Sequence, residues 1–165
     1  MKGEEIVIMG IDPGSLITGY AILKANSSKI LPITYGNIKT SSKNDLQKRI
    51  YKIHTEVDKI INQYNPDQCS LEKIFYAKNV RSVLSLGEAR GAILISLEQN
   101  KIPTYEYTPR KIKKSVVGNG RASKKQVQYM VNAILNTKID KKSSYDISDA
   151  LAIGICHYNK IKPNL

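Results

Sequence analysis

Asp12, Glu72, Asp146 and Asp149 are the residues of this 165-residue chain whose type and placement could do chemistry together. Four carboxylates gathered at one point repel, and Mg²⁺ is the economical way to hold them. Two such ions roughly 3.5 to 4 Å apart activate water and stabilise the leaving oxygen of a phosphodiester. Each acid also has a plainer use on its own. Asp12 suits an Asx-type turn. Glu72 suits a solvated strand end, and Asp146, three residues after Ser143, suits a capping box favoured by the helix dipole. What separates the two readings is whether the elements around the acids can bring them together.

The stretch from Ile6 to Gly14 reads Ile-Val-Ile-Met-Gly-Ile-Asp-Pro-Gly. Its apolar run predicts a strand buried on both faces, with Asp12 where the strand meets a Pro-Gly turn. A carboxylate there must be paired, hydrogen-bonded or bound to a cation, because burying it alone is costly. Gln68 to Glu72 predicts a short strand whose alternation turns Glu72 away from the face of Cys69 and Leu71. Laid beside the first strand, it lets Glu72 meet Asp12. Asp146 and Asp149, three apart in a helix predicted over about 144 to 158, share a face next to the docking stripe Ile147, Leu151, Ile155 and Tyr158.

The remaining pattern supplies a frame for these pieces. Extended segments over 18–24 and 30–40 continue from the first strand as an antiparallel meander. A one-striped surface helix follows over 45–64, and a long helix, apolar almost all round in its second half, over about 80–99. A strand over 102–107, a basic segment from Thr108-Pro109 to Gly118-Asn119-Gly120, and a helix over 123–135 precede the closing helix. This order predicts an α/β fold with a mixed five-stranded sheet, three strands antiparallel and the others parallel additions, flanked by helices in the ribonuclease H-like manner. No repeat or linker interrupts it, so residues 1–165 are expected to form a single domain.

Charge points to the partner. Lys and Arg number 26 against 14 Asp and Glu, a formal net charge of +12, which fits a polyanion. Trp is absent and no strongly basic helix carries a bulky aromatic face, so nucleic acid is favoured over a membrane surface. From Thr108 to Ile139 there is no acid, while Arg110, Lys111, Lys113, Lys114, Arg121, Lys124, Lys125 and Lys138 are all basic. A DNA-facing stripe accounts for this run better than a merely solvated face. Within it Ser123 stands to cap a helix whose N-terminus favours anions. Phe75, the sole Phe, would read as core by itself, but its neighbours Lys73, Tyr76 and Lys78 suggest a loop whose ring can stack on an unpaired base. His54 and His157 have no ligand-like partners in sequence and read as non-catalytic. Cys69 and Cys156 lack zinc-site spacing and read as reduced, packed thiols of a cytoplasmic protein. No signal peptide or membrane span is expected.

Five motifs in order resemble one family. They are Gly10-Ile11-Asp12-Pro13-Gly14-Ser15 with Thr18-Gly19-Tyr20, Leu71-Glu72-Lys73-Ile74-Phe75-Tyr76-Ala77-Lys78-Asn79, Leu86-Gly87-Glu88-Ala89-Arg90-Gly91, Val116-Val117-Gly118-Asn119-Gly120, and Asp146-Ile147-Ser148-Asp149-Ala150-Leu151-Ala152. The chain resembles the RuvC Holliday junction resolvases of the ribonuclease H-like superfamily over nearly its whole length. The resemblance implies a structure-selective endonuclease acting on four-way DNA junctions, with Asp12, Glu72, Asp146 and Asp149 as its catalytic acids. It implies two Mg²⁺ ions, for which Mn²⁺ can substitute, and Lys113 and Lys124 near the scissile phosphate. It places Phe75 near the exchange point and implies handover from RuvA and RuvB. Lys78, Arg110, Lys111, Lys114, Arg121 and Lys125 are the further expected DNA contacts. The long helix predicts a twofold homodimer, with Gly87 and Gly91 on the face that a second copy approaches.

Overall fold

A computed structural model of the chain describes residues 5–74, 80–140 and 145–165. Strand β1 (Ile6–Asp12) pairs antiparallel with β2 (Ile17–Ala25), which pairs antiparallel with β3 (Ile30–Lys39). On its other edge β1 runs parallel to β4 (Gln68–Glu72), and β4 parallel to β5 (Thr104–Tyr107). The sheet order is β3-β2-β1-β4-β5, with the first strand central.

The uninterrupted apolar run of β1 follows from this position. Ile8 packs among residues of the helices on one face, while Met9 and Ile11 pack into the other, and all three are fully buried. Helices α1 (Leu46–Tyr64) and α2 (Val80–Gln99) cover the Met9 face, through Ile53, Val57, Ala89, Ile93 and Leu97. Helices α3 (Pro109–Val117), α4 (Lys124–Leu135) and α5 (Tyr145–Ile161) cover the Ile8 face. Nearly every residue of α5 from Ala150 to Tyr158 is buried, so its docking surface is far broader than the four-residue stripe predicted for it.

The basic segment after Thr108 is a helix rather than an irregular stretch. Thr108 accepts from the Lys111 amide at 3.2 Å, Pro109 occupies the first turn, and Gly118 closes the helix in the left-handed region at φ 82°. These are the usual start and stop devices. Ile112 and Val116, one turn apart, are its only buried residues. Strand β5 is shorter than predicted, beginning at Thr104.

His157 is buried and doubly bonded. Its Nε2 lies 2.6 Å from Gln68 Oε1 and its Nδ1 2.6 Å from the Tyr107 hydroxyl. The amide oxygen accepts, so the ring proton sits on Nε2 and the tyrosine donates to Nδ1. Burial, with Lys160 nearby, lowers its pKa from 6.5 to about 4. A neutral imidazole therefore ties β4, β5 and α5 together, consistent with a non-catalytic role. Among the described residues no helix is long and apolar enough to cross a membrane.

Candidate active site

Alternation along β1 sends Ile8 and Gly10 towards α5, and Asp12 follows two residues on. In β4, Cys69 and Leu71 join the α1–α2 core, while the Ser70 hydroxyl donates towards the Met9 and Ile153 carbonyls, at 3.3 and 3.4 Å. Glu72 therefore also turns to the α5 face, opposite Cys69 and Leu71. The parallel register pairs Gly10 with Ser70 and Ile11 with Leu71; one step further sets Asp12 beside Glu72. Both carboxylates end central strands on one side of the sheet.

Helix α5 brings the other two acids, and two glycines let it sit close enough to do so. A Cβ on Gly10 would overlap the Ala150 carbonyl, and one on Gly19, the register partner of Asp12, would overlap the Asp146 carbonyl. With hydrogen there instead, the first turns of α5 rest directly on the ends of β1 and β2. Below them the β1–β2 turn is pinned by the buried Thr18 hydroxyl, which donates to the Gly14 carbonyl at 2.7 Å. Sequence reasoning used these glycines only as motif letters; the signal that could have found them is a glycine inside a strand, which marks a close backbone approach.

Lys124 enters from the start of α4. Ser123 caps that helix, accepting from the Gln126 amide while Gln126 Oε1 accepts from the Ser123 amide. A lysine in the first turn faces the helix dipole unfavourably. Its partner offsets this, since Nζ lies 3.0 Å from Asp149 Oδ2. Asp12, Glu72, Asp149, Lys113 and Lys124 line one cleft of about 220 Å³. Asp12 and Glu72 also line an adjoining space of about 210 Å³ with Pro13, Lys73 and Leu86. Asp146 faces a larger groove beside this cleft.

The electrostatics show how crowded the acids are. Burial pushes Asp12 up to about 8, helped by Asp149, Glu72 and Asp146 and opposed by Lys124. Glu72 is raised by burial and by Asp149, against Lys124 and Lys113. Asp149 is raised because burial outweighs its bond to Lys124. For Lys124 burial pulls downward, but the bond to Asp149 and the other acids hold it above the ordinary lysine value. A carboxylate that binds a proton near neutrality is one whose anion burial and neighbouring acids disfavour more than the nearby cation relieves. The donor set, hard oxygens on two rigid strand ends and one helix, suits Mg²⁺-type cations. Among the described residues no three acid, histidine or cysteine side chains stand close enough to grip an ion as they are, so a cation would have to draw these mutually repelling groups inward.

Of the expected DNA contacts, Arg110, Lys111, Lys114, Arg121, Lys124 and Lys125 are exposed and Lys113 is half-buried. Lys111 stands over the Tyr107 ring, 5.2 Å from its centroid. Arg110 packs under Gly120 in the turn that follows α3. Phe75 and Lys78 lie outside the described residues, as does Ser143, the proposed cap for Asp146.

Comparison with known proteins agrees with this geometry. The family model described as Crossover junction endodeoxyribonuclease RuvC matches residues 8–157. A protein of that name from Halothermothrix orenii is 47% identical over 159 residues, covering 96% of each chain. Another, from Ruminiclostridium cellulolyticum, is 42% identical over 93% of this chain and 92% of its own. Among solved structures, T. thermophilus RuvC in complex with a Holliday junction substrate superposes with a TM-score of 0.89 at 28% identity, covering 96% of both chains. An unbroken family match across the strand ends and the helix that carry the four acids, and a shared fold along the whole chain, settle the assignment: this chain belongs to the RuvC family of crossover junction endodeoxyribonucleases.

Proposed function

We propose that Asp12, Glu72, Asp146 and Asp149 form the catalytic centre with which this endonuclease nicks two opposed strands of a four-way junction. The observation that carries the reading is the placement of Asp12 and Glu72 at the ends of neighbouring parallel strands, directly under the acid-bearing turns of α5. The four acids would hold two Mg²⁺ ions, with Mn²⁺ able to substitute. When bound, such ions supply an activated water and neutralise charge at phosphorus. Lys113 and Lys124, both lining the cleft, meet the negative charge that builds on the phosphate. Arg110, Lys111, Lys114, Arg121 and Lys125 spread the duplex arms across the α3–α4 surface through salt-sensitive phosphate contacts, with Lys78 a further DNA contact and Phe75 near the exchange point. Residues 1–165 act as one cytoplasmic nuclease domain that receives its junction from RuvA and RuvB.

The test is cleavage of a synthetic four-way junction, a linear duplex and an RNA–DNA hybrid, with and without Mg²⁺. Paired nicks in the junction alone, and only with the cation, are the expected result. Preferred cleavage of the hybrid would reject the reading.

A homodimer supports the paired nicks. Tyr51 and Ile95, 70% and 55% exposed, flank an apolar depression between α1 and α2. A Cβ on Gly87 or Gly91 would meet nothing within 4 Å, which leaves their face of α2 open to a second copy. Ile93 belongs to the subunit's own core, so the side chain that can report on the interface is Ile95. An Ile95→Asp protein is expected to sediment as a folded monomer and to lose coordination of the two nicks. A dimer of unchanged mass would place the interface elsewhere.

A further inference from the structure

We propose that Arg49, working from α1 through the β1–β2 turn, grips a DNA phosphate next to the one being cut. Its Nη1 lies 3.5 Å from Ser15 Oγ, a weak bond at the limit of hydrogen-bond distance, and its Nε is buried with no hydrogen-bond partner. Among the described residues no carboxylate pairs with it. Arg90 has a similarly orphaned Nε, but its charge is met by Glu106. The acid nearest to Arg49 in sequence, Asp45, is instead shared with Lys48, at 3.9 Å. A planar fork of five donors held part-buried, with a single weak acceptor for one of them, is a costly arrangement, and the acceptor that suits such a fork is a phosphate or carboxylate.

The surroundings decide in favour of a polymer's phosphate. Arg49 lines a groove of about 940 Å³ between the β1–β2 turn and the first turns of α1 and α2. That lies at the upper end of the roughly 300–1,000 Å³ of small-ligand sites. Leu86 lines both this groove and the space occupied by Asp12 and Glu72, and Asp146 also faces the groove. Groove and proposed catalytic cleft therefore adjoin at Leu86, within reach of the nucleotides next to a phosphate held at the acids. Arg81 adds a second cation to the wall, while Leu16 and Leu84, 44% and 62% exposed, offer apolar surface to sugars or bases.

This inference rests on the proposed catalytic centre, and its test separates the two. Single neutral methylphosphonates are placed at each phosphate flanking the cut in a synthetic four-way junction. At one position the wild-type protein is expected to cleave about tenfold more slowly, the scale of one charge-assisted hydrogen-bonded contact. Arg49→Gln protein, slowed to a similar degree on the unmodified junction, should show no added penalty there, and Arg49→Lys should fall between. If Arg49→Gln fails to fold, the wild-type scan with Arg49→Lys still decides. No sensitive flanking position in wild type, or the same penalty in wild type and Arg49→Gln, overturns the proposal. Affinity of the Asp12→Asn protein for the same junctions reads the contact without cleavage; retained cleavage by that variant would instead bring down the catalytic assignment.

Discussion

An Asp12→Asn protein is expected to lose cleavage of a four-way junction by about 10³-fold or more while binding it with near-normal affinity. The substitution keeps size and shape but removes a charge that the proposed centre uses to hold cations, and several kcal/mol of transition-state stabilisation corresponds to that factor. The basic surface of α3 and α4, which carries affinity, is untouched. The same change should stabilise the fold. Asp12 has an ordinary value of 3.8 and a folded value of about 8, so above pH 3.8 the folded state is disfavoured relative to the unfolded one. That cost grows until about pH 8 and then levels off. At pH 7 without divalent cations it is on the order of 4 kcal/mol, so Asn is expected to raise Tm by roughly 8 to 16 °C. Scanning calorimetry of both proteins in chelator, at pH 7 and at pH 4.5, checks this, and the gain should shrink at the lower pH. Cleavage near the wild-type rate, or a Tm that does not rise, would contradict the placement of Asp12 among the other acids.

A second large effect is expected from one methyl group at Gly19. Gly19→Ala places a Cβ where the Asp146 carbonyl now rests, and neither the strand nor the helix backbone can yield without moving α5. Overpacking of this kind costs about 1–3 kcal/mol. The larger consequence falls on Asp146 and Asp149, which ride on the displaced turn. A shift of about 1 Å at a reacting centre can cost about 10²-fold in rate. Cleavage should therefore fall much further than stability, and urea midpoints measured beside single-turnover rates will separate the two. Equal losses in both, or neither, would mean that the helix does not depend on this contact for its position.

The parts of the site that were legible in the sequence are those set by short-range periodicity. The period of two in Gln68–Glu72 puts Glu72 opposite Cys69 and Leu71, and the spacing of three puts Asp146 and Asp149 on one helix face; both hold in the structure. The apolar run of β1 made legible that both its faces are covered, while its central place followed from the element order and its likeness to the ribonuclease H-like arrangement. Helix α3 was obscured because only Ile112 and Val116 mark its buried face amid four basic residues, although Thr108, Pro109 and Gly118 were in place as its signals. The buried side of α2 could not be read, since a helix apolar all round does not say which stripe meets its own sheet; Ile93 does and Ile95 does not. Arg49 looked like any surface cation of an amphipathic helix. Its underused fork appears only when the turn at Ser15, distant in sequence, folds against it.

The order of the acids along the chain has a consequence for synthesis. A nascent chain that has emerged through α4 already contains all five strands, both helices of one face and the basic surface, so it can begin to fold as domains do from the N-terminal side. It still lacks α5, and with it Asp146, Asp149 and the cover over Ile8, Ala21 and Leu23. A chain interrupted there would expose apolar sheet, yet it would carry half of the proposed acids. On the proposed assignment α5 both covers the core and completes the acid set, so a chain interrupted before it is expected to bind DNA through α3 and α4 without cutting it.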